Sequence, residues 1–172
     1  MRFTVQENLC CFLNGIMMST KSWSQFVEPL SHMNQLILVD FLDQRQSSKL
    51  EGQTFTHQIQ IEMIEAFLDH LNLDEISLFG VSYGGEIAIQ LAIRNTSRYT
   101  KLLLFNTAAH TSYWLEEVGN AWNAAAHDGL AYYLTTIPVI YSPKLFTENE
   151  SWIRSRKKAY SPYSMTQTFS HP

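Results

Sequence analysis

The chain has 172 residues, 45% of them apolar and 16% charged, which is enough to bury a core and excludes both a disordered segment and a coiled coil. Twelve Lys and Arg against sixteen Asp and Glu leave a net charge of −4, which argues against a nucleic-acid partner. No apolar run reaches the roughly 18 residues needed to span a bilayer, so no membrane span is expected.

Through residue 106 short apolar runs alternate with helical patterns, the signature of βαβ units and a parallel sheet. The first run, Leu9 to Leu13, contains the only two cysteines, Cys10 and Cys11. Adjacent cysteines make a strained disulfide, so they are read as buried thiols in a reducing compartment, the cytoplasm. No Cys/His spacing suits a metal, and no metal or cofactor is expected. Trp23, Phe26, Val27 and Leu30 then fall on one face of a helix.

Leu36 to Val39 reads as the second strand. Ile61, Ile64, Leu68 and Leu71 mark the apolar face of the next helix, with Glu62, Glu65 and Asp69 turned to water. Ile76 to Phe79 is the third strand, Glu86 to Ile93 a helix apolar almost all round, and Leu102 to Phe105 the fourth strand. Continuously apolar strands are expected where helices cover both faces of a sheet. After Asn106 strand signals stop and aromatics crowd in, from Trp114 and Trp122 to Tyr160 and Tyr163. Trp114, Val118, Trp122 and Ala125 keep helical spacing, and His127-Asp128-Gly129 reads as a turn into a further helix. Two regions are therefore expected: a sheet-based core over residues 1–106 and a helical region over 107–172.

The chemistry is concentrated in Gly80-Val81-Ser82-Tyr83-Gly84-Gly85-Glu86, which contains G-x-S-x-G. It follows an apolar strand and opens an apolar helix, the context of a nucleophile elbow. A serine on so sharp a turn leaves room only for glycine two residues to either side, and Gly80 and Gly84 hold those places; Gly85 lets the helix close on the sheet. The alternative is a glycine-rich structural turn. A phosphate loop is excluded because Glu86 stands where lysine is needed, and a dinucleotide turn because Ser82 replaces its second glycine.

On these residues the sequence resembles the α/β-hydrolase family, over most of its length. The resemblance implies a three-layer α/β fold, a parallel sheet with flanking helices and a helical cap over 107–172, with the sheet apparently truncated at the C-terminus. It implies a catalytic Ser82 that cleaves a carboxylic ester or thioester. Phe12-Leu13-Asn14-Gly15-Ile16 matches the family's oxyanion loop with Asn for His, so the implied oxyanion donors are the backbone N–H groups of Ile16 and Tyr83. Asp40 to Ser47 matches the signature D-x-x-G-x-G-x-S with both glycines replaced, by Asp43 and Arg45.

The family's acid and base follow the serine in the chain. Asp128, the only later aspartate, fits a turn better than a triad, and His110, just after the fourth strand, is the candidate base by position. His127 reads as a turn residue and His171 as part of a tail, while His32, His57 and His70 read as exposed helix residues. The basic cluster Arg154, Arg156, Lys157 and Lys158 reads as a solvated face or an anion contact. Three functions stay open: a serine hydrolase of a small-molecule ester or thioester, a non-catalytic chain or binding module with the elbow but without the acid and base, and an enzyme completed in trans by a partner subunit. A homo-oligomer covering the open edge of the last strand is also expected.

Overall fold

The computed structural model describes residues 8–49, 52 and 55–159. The chain divides into two compact units, Met1–His110 and Thr111–Pro172. In the first, β1 (Asn8–Leu13), β2 (Asn34–Val39), β3 (Ile76–Val81) and β4 (Tyr99–Phe105) form one four-stranded sheet. All its pairings are parallel and the order is β2-β1-β3-β4. A short 3-10 turn (Thr20–Trp23) and α1 (Ser24–Ser31) link β1 to β2, α2 (His57–His70) links β2 to β3, and α3 (Tyr83–Arg94) links β3 to β4.

The pleat sorts the apolar runs onto two faces. Cys11, Leu13, Ile76 and Leu78 pack against Ile61, Ile64 and Leu68 of α2 and Ile87, Ala88 and Leu91 of α3, and this is the buried core. On the opposite face Phe12 stacks on Phe79 at 4.7 Å between ring centroids, and Trp23 closes edge-on over both. The arrangement is helix, sheet, helix. Arg98 secures the amino-terminal side of the sheet: its guanidinium donates twice to the Leu73 carbonyl, at 3.0 and 2.8 Å, and pairs with Asp69 at 2.5 Å.

Two expectations are corrected. Among the described residues β4 pairs only with β3, and Leu102 to Phe105 are 39–46% exposed rather than buried. α1 buries none of its residues: Trp23 just before it reaches the sheet, while Phe26 and Val27 stay exposed. An apolar pattern reports the capacity to be buried, and an edge strand has no neighbour on one side to use it.

Topology places the site. From β1 the chain moves outward to β2, then returns to the other side of β1 as β3. Such a reversal leaves a crevice at the carboxyl ends of the two central strands, here Leu13 of β1 and Val81 of β3.

The second unit is helical: α4 (Tyr113–Ala125), α5 (Gly129–Ile140), α6 (Pro143–Glu148) and α7 (Glu150–Ala159). Trp122 Nε1 donates to the Thr135 carbonyl at 3.2 Å, and the Tyr133 hydroxyl to the Ile153 carbonyl at 2.9 Å, tying α5 to α4 and α7. Among the described residues no helix is long and apolar enough to cross a membrane. Tyr160, Tyr163 and His171 lie outside the described residues.

Candidate active site

Ser82 is the N-cap of α3, with φ 52° and ψ −122°. An N-cap serine normally has extended backbone and accepts an N–H of the first turn on its hydroxyl. Ser82 makes no such bond and is exposed, so its Oγ is not used by the helix it begins. The backbone is held from β4 instead. The Ser82 N–H donates to the Phe105 carbonyl at 2.9 Å, and the Ser82 carbonyl accepts the Gly85 N–H at 2.8 Å and the Thr107 hydroxyl at 2.8 Å.

The glycines permit this geometry. A Cβ on Gly84 would lie 2.1 Å from the Leu13 carbonyl oxygen, so the start of α3 rests against the end of β1. A Cβ on Gly80 would lie 2.6 Å from Gly85 Cα, and one on Gly85 the same distance from Thr107 Cβ.

Opposite Ser82, Asn14 is fully buried and fully bonded. Its Oδ1 accepts Trp23 Nε1–H at 2.5 Å, and its Nδ2 donates to the Val39 carbonyl at 2.8 Å and to Asp40 Oδ1 at 3.2 Å. Asp40 Oδ1 also accepts the Thr20 N–H at 2.7 Å. Asn14 thus anchors a turn in which the Met18 N–H donates to the Gly15 carbonyl at 3.2 Å and the Gly15 N–H to Met18 Sδ at 3.3 Å. Gly15 is so near the serine that a Cβ on it would stand 3.3 Å from Ser82 Cβ. Among the described residues, the N–H groups of Ile16 and Tyr83 donate to no protein atom. An exposed hydroxyl thus stands beside the Gly15 turn at the positive end of a helix dipole, where negative charge is stabilised.

The signature loop keeps a glycine-like backbone without glycine: Asp43 has φ +65° and Arg45 φ +45°. Arg45 Nη2 donates to the Met17 carbonyl at 3.2 Å, and Gln60 bonds both the N–H and the carbonyl of Leu42, at 3.0 and 3.1 Å.

The remaining sequence candidates are dispersed. His110 is exposed in a bend beyond β4, and among the described residues no hydrogen bond joins it to Ser82. Asp128 caps α5, its Oδ1 accepting the Leu130 and Ala131 N–H groups at 2.9 and 3.0 Å. His57 bonds Glu86 at 2.8 Å, with its ring 4.9 Å from that of Tyr83. Half-burial, and secondarily the Glu86 carboxylate, raise the Tyr83 phenol above its ordinary pKa and keep it neutral. In the basic cluster Arg154 pairs with Glu150 and Arg156 lies over the Trp152 ring, 5.2 Å from its centroid. Among the described residues no three His, Cys, Asp or Glu side chains are grouped as a metal needs. Thr107, the Arg45–Met17 bond and the His57–Glu86 pair carry no local sequence signal, because each joins segments far apart in the chain.

A crevice at the chain reversal, a strained serine opening a helix and a backbone turn beside it define an α/β-hydrolase site. The sequence model of that family, the alpha/beta hydrolase fold, matches residues 9–161, and the chain belongs to this family. It is similar to MGS-M2, an alpha/beta hydrolase enzyme from a Medee basin deep-sea metagenome library, with 40% identity and a TM-score of 0.87. That match covers 98% of this chain and 62% of the other. It is also 26% identical over 101 residues to 2-hydroxymuconate semialdehyde hydrolase of Pseudomonas sp. (strain CF600), covering 59% of this chain and 36% of the relative. To 3-oxoadipate enol-lactonase 1 of Acinetobacter baylyi it is 29% identical over 115 residues, covering 67% of this chain and 41% of the relative. The chain thus spans well under half the length of these curated relatives and less than two thirds of MGS-M2.

Proposed function

We propose that Ser82 is the nucleophile of a hydrolase that cleaves a carboxylic ester or thioester of a small or medium acyl group. The observation that carries this reading is an exposed N-cap serine that makes no capping bond and adjoins the Gly15 turn, while among the described residues the Ile16 and Tyr83 N–H groups donate to no protein atom. In this mechanism Oγ attacks the acyl carbon as its proton passes to a histidine. The carbonyl oxygen takes up the negative charge against the two N–H groups. The tetrahedral intermediate expels the alcohol or thiol, which leaves with that proton, and water releases the acid from the acyl-serine by the same steps. His110 is the base proposed from within the described residues. The similarity to an enol-lactonase, named for a cyclic ester, favours the oxygen ester. The substrate is proposed to be a small molecule taken up in the cytoplasm, without metal or cofactor.

Hydrolysis of p-nitrophenyl butyrate and a butyryl thioester by the purified chain tests this. Turnover abolished by Ser82→Ala is expected; equal turnover in wild type and Ser82→Ala contradicts it. A second reading, an elbow that binds without turning over, is favoured by one observation: among the described residues neither a histidine nor a carboxylate bonds Ser82 Oγ. Binding of a butyrate ester without its hydrolysis is the result that reading requires.

A further inference from the structure

We infer that Arg45 is a positioning residue for the oxyanion turn, clamping the Met17 carbonyl so that the turn presents its N–H groups to the site. The inference deepens the proposed hydrolase reading, and its kinetic test rests on that reading. Met17 is the third residue of the Gly15–Met18 turn, with φ +63°, a setting that turns of this kind usually give to glycine. A side chain strains that conformation, and Met17 is 45% exposed, so apolar burial does little to hold it. The bond from Arg45 Nη2 to the Met17 carbonyl holds that peptide at 3.2 Å from the far loop. A guanidinium bonding a carbonyl is a charge-assisted contact, stronger than a neutral one.

The source of the clamp is itself strained. Arg45 has φ +45°, so its side chain stands at a position that its backbone disfavours. Arg45 is exposed and makes no ion pair among the described residues, so its bond to Met17 is what the arginine adds there. The turn adjoins the nucleophile through Gly15, whose Cβ position lies 3.3 Å from Ser82 Cβ. Loss of the clamp frees the two peptides that flank Met17, and with them the turn whose Ile16 N–H is proposed to face the developing oxyanion.

Arg45→Gly separates this role from a structural one, because glycine relieves the backbone while deleting the clamp. Three readouts are needed: the second-order rate of fluorophosphonate labelling at Ser82, Tm, and hydrogen exchange of the Met18 amide. Labelling is expected to fall at least tenfold with Tm unchanged or raised, and Met18 exchange to quicken several-fold. Adding Met17→Gly, which takes the left-handed conformation freely, is expected to recover most of the labelling rate. A rate within twofold of wild type, or a loss that Met17→Gly leaves in place with Met18 protection intact, overturns the inference. Absence of labelling in wild type sinks the hydrolase reading instead; Met18 exchange then decides the clamp, quickened exchange upholding it and unchanged exchange overturning it.

Discussion

The Thr107 hydroxyl donates to the Ser82 carbonyl at 2.8 Å, while Thr107 Cβ occupies the place that a side chain on Gly85 would need, 2.6 Å away. Thr107, two residues beyond β4, thus sets both the tilt of the elbow and the approach of α3. Thr107→Val keeps the shape and deletes the bond, at about 1 kcal/mol. The expected result is a three- to tenfold slower reaction at Ser82 with folding retained, and Thr107→Ser restores the rate. Equal rates for wild type and Thr107→Val contradict this role.

The Asn14 amide is committed to Trp23, Val39 and Asp40. Asn14→Asp turns a donor into a second carboxylate oxygen facing the Asp40 carboxylate and the Val39 carbonyl. Like charge and an unpaired buried acceptor are expected to cost about 3 kcal/mol or more. The urea midpoint, followed by Trp23 fluorescence, measures it. A loss below about 1 kcal/mol shows that the Asn14 amide is not needed to hold the turn.

The strands and the strand–turn–helix around Ser82 were legible because each is local. A run of apolar residues marks a strand, and glycine two residues on either side of a serine marks a turn that excludes other side chains. The open edge of β4 was expected, but the exposure of its faces was misread, because Leu102 to Phe105 look the same in sequence whether another layer covers them or not. The contacts that hold the site were not legible at all. Arg45 reads as a departure from a glycine signature until its bond to Met17, 28 residues back along the chain, is seen. His57 reads as an exposed helix residue until Glu86 is found beside it, 29 residues on.

Two buried acids shape stability at alkaline pH. Burial pushes the Cys11 thiol up to about 12 from 9.0, and the Tyr99 phenol, also chiefly by burial, up to about 12 from 10.0. Both hold their protons more tightly when folded, so the stability they contribute is complete below pH 9. It is lost as pH rises towards 12, from 9.0 for Cys11 and from 10.0 for Tyr99, by up to about 1.4 kcal/mol per pH unit for each group. Tyr99→Phe deletes a buried hydroxyl that has no hydrogen-bond partner among the described residues. Its urea midpoint at pH 7 is expected to equal or exceed wild type and to fall less steeply above pH 10. Identical slopes contradict the assignment.

The exposed Leu102 to Phe105 edge is expected to drive association, since an unpaired apolar strand offers both backbone donors and apolar surface. Light scattering from 10 µM to 500 µM should show mass rising with concentration, and Leu103→Lys should suppress it. A constant monomer mass across that range, in wild type as in Leu103→Lys, contradicts the expectation.

Fluorophosphonate labelling of the purified chain, read by intact mass and peptide mapping, bears most directly on whether Ser82 is an activated nucleophile. A single adduct that maps to Ser82 and is absent from Ser82→Ala is the predicted result, and its loss in His110→Ala would identify the base. A folded chain that takes up no adduct, or takes it up equally in Ser82→Ala, contradicts the assignment of Ser82 as the nucleophile.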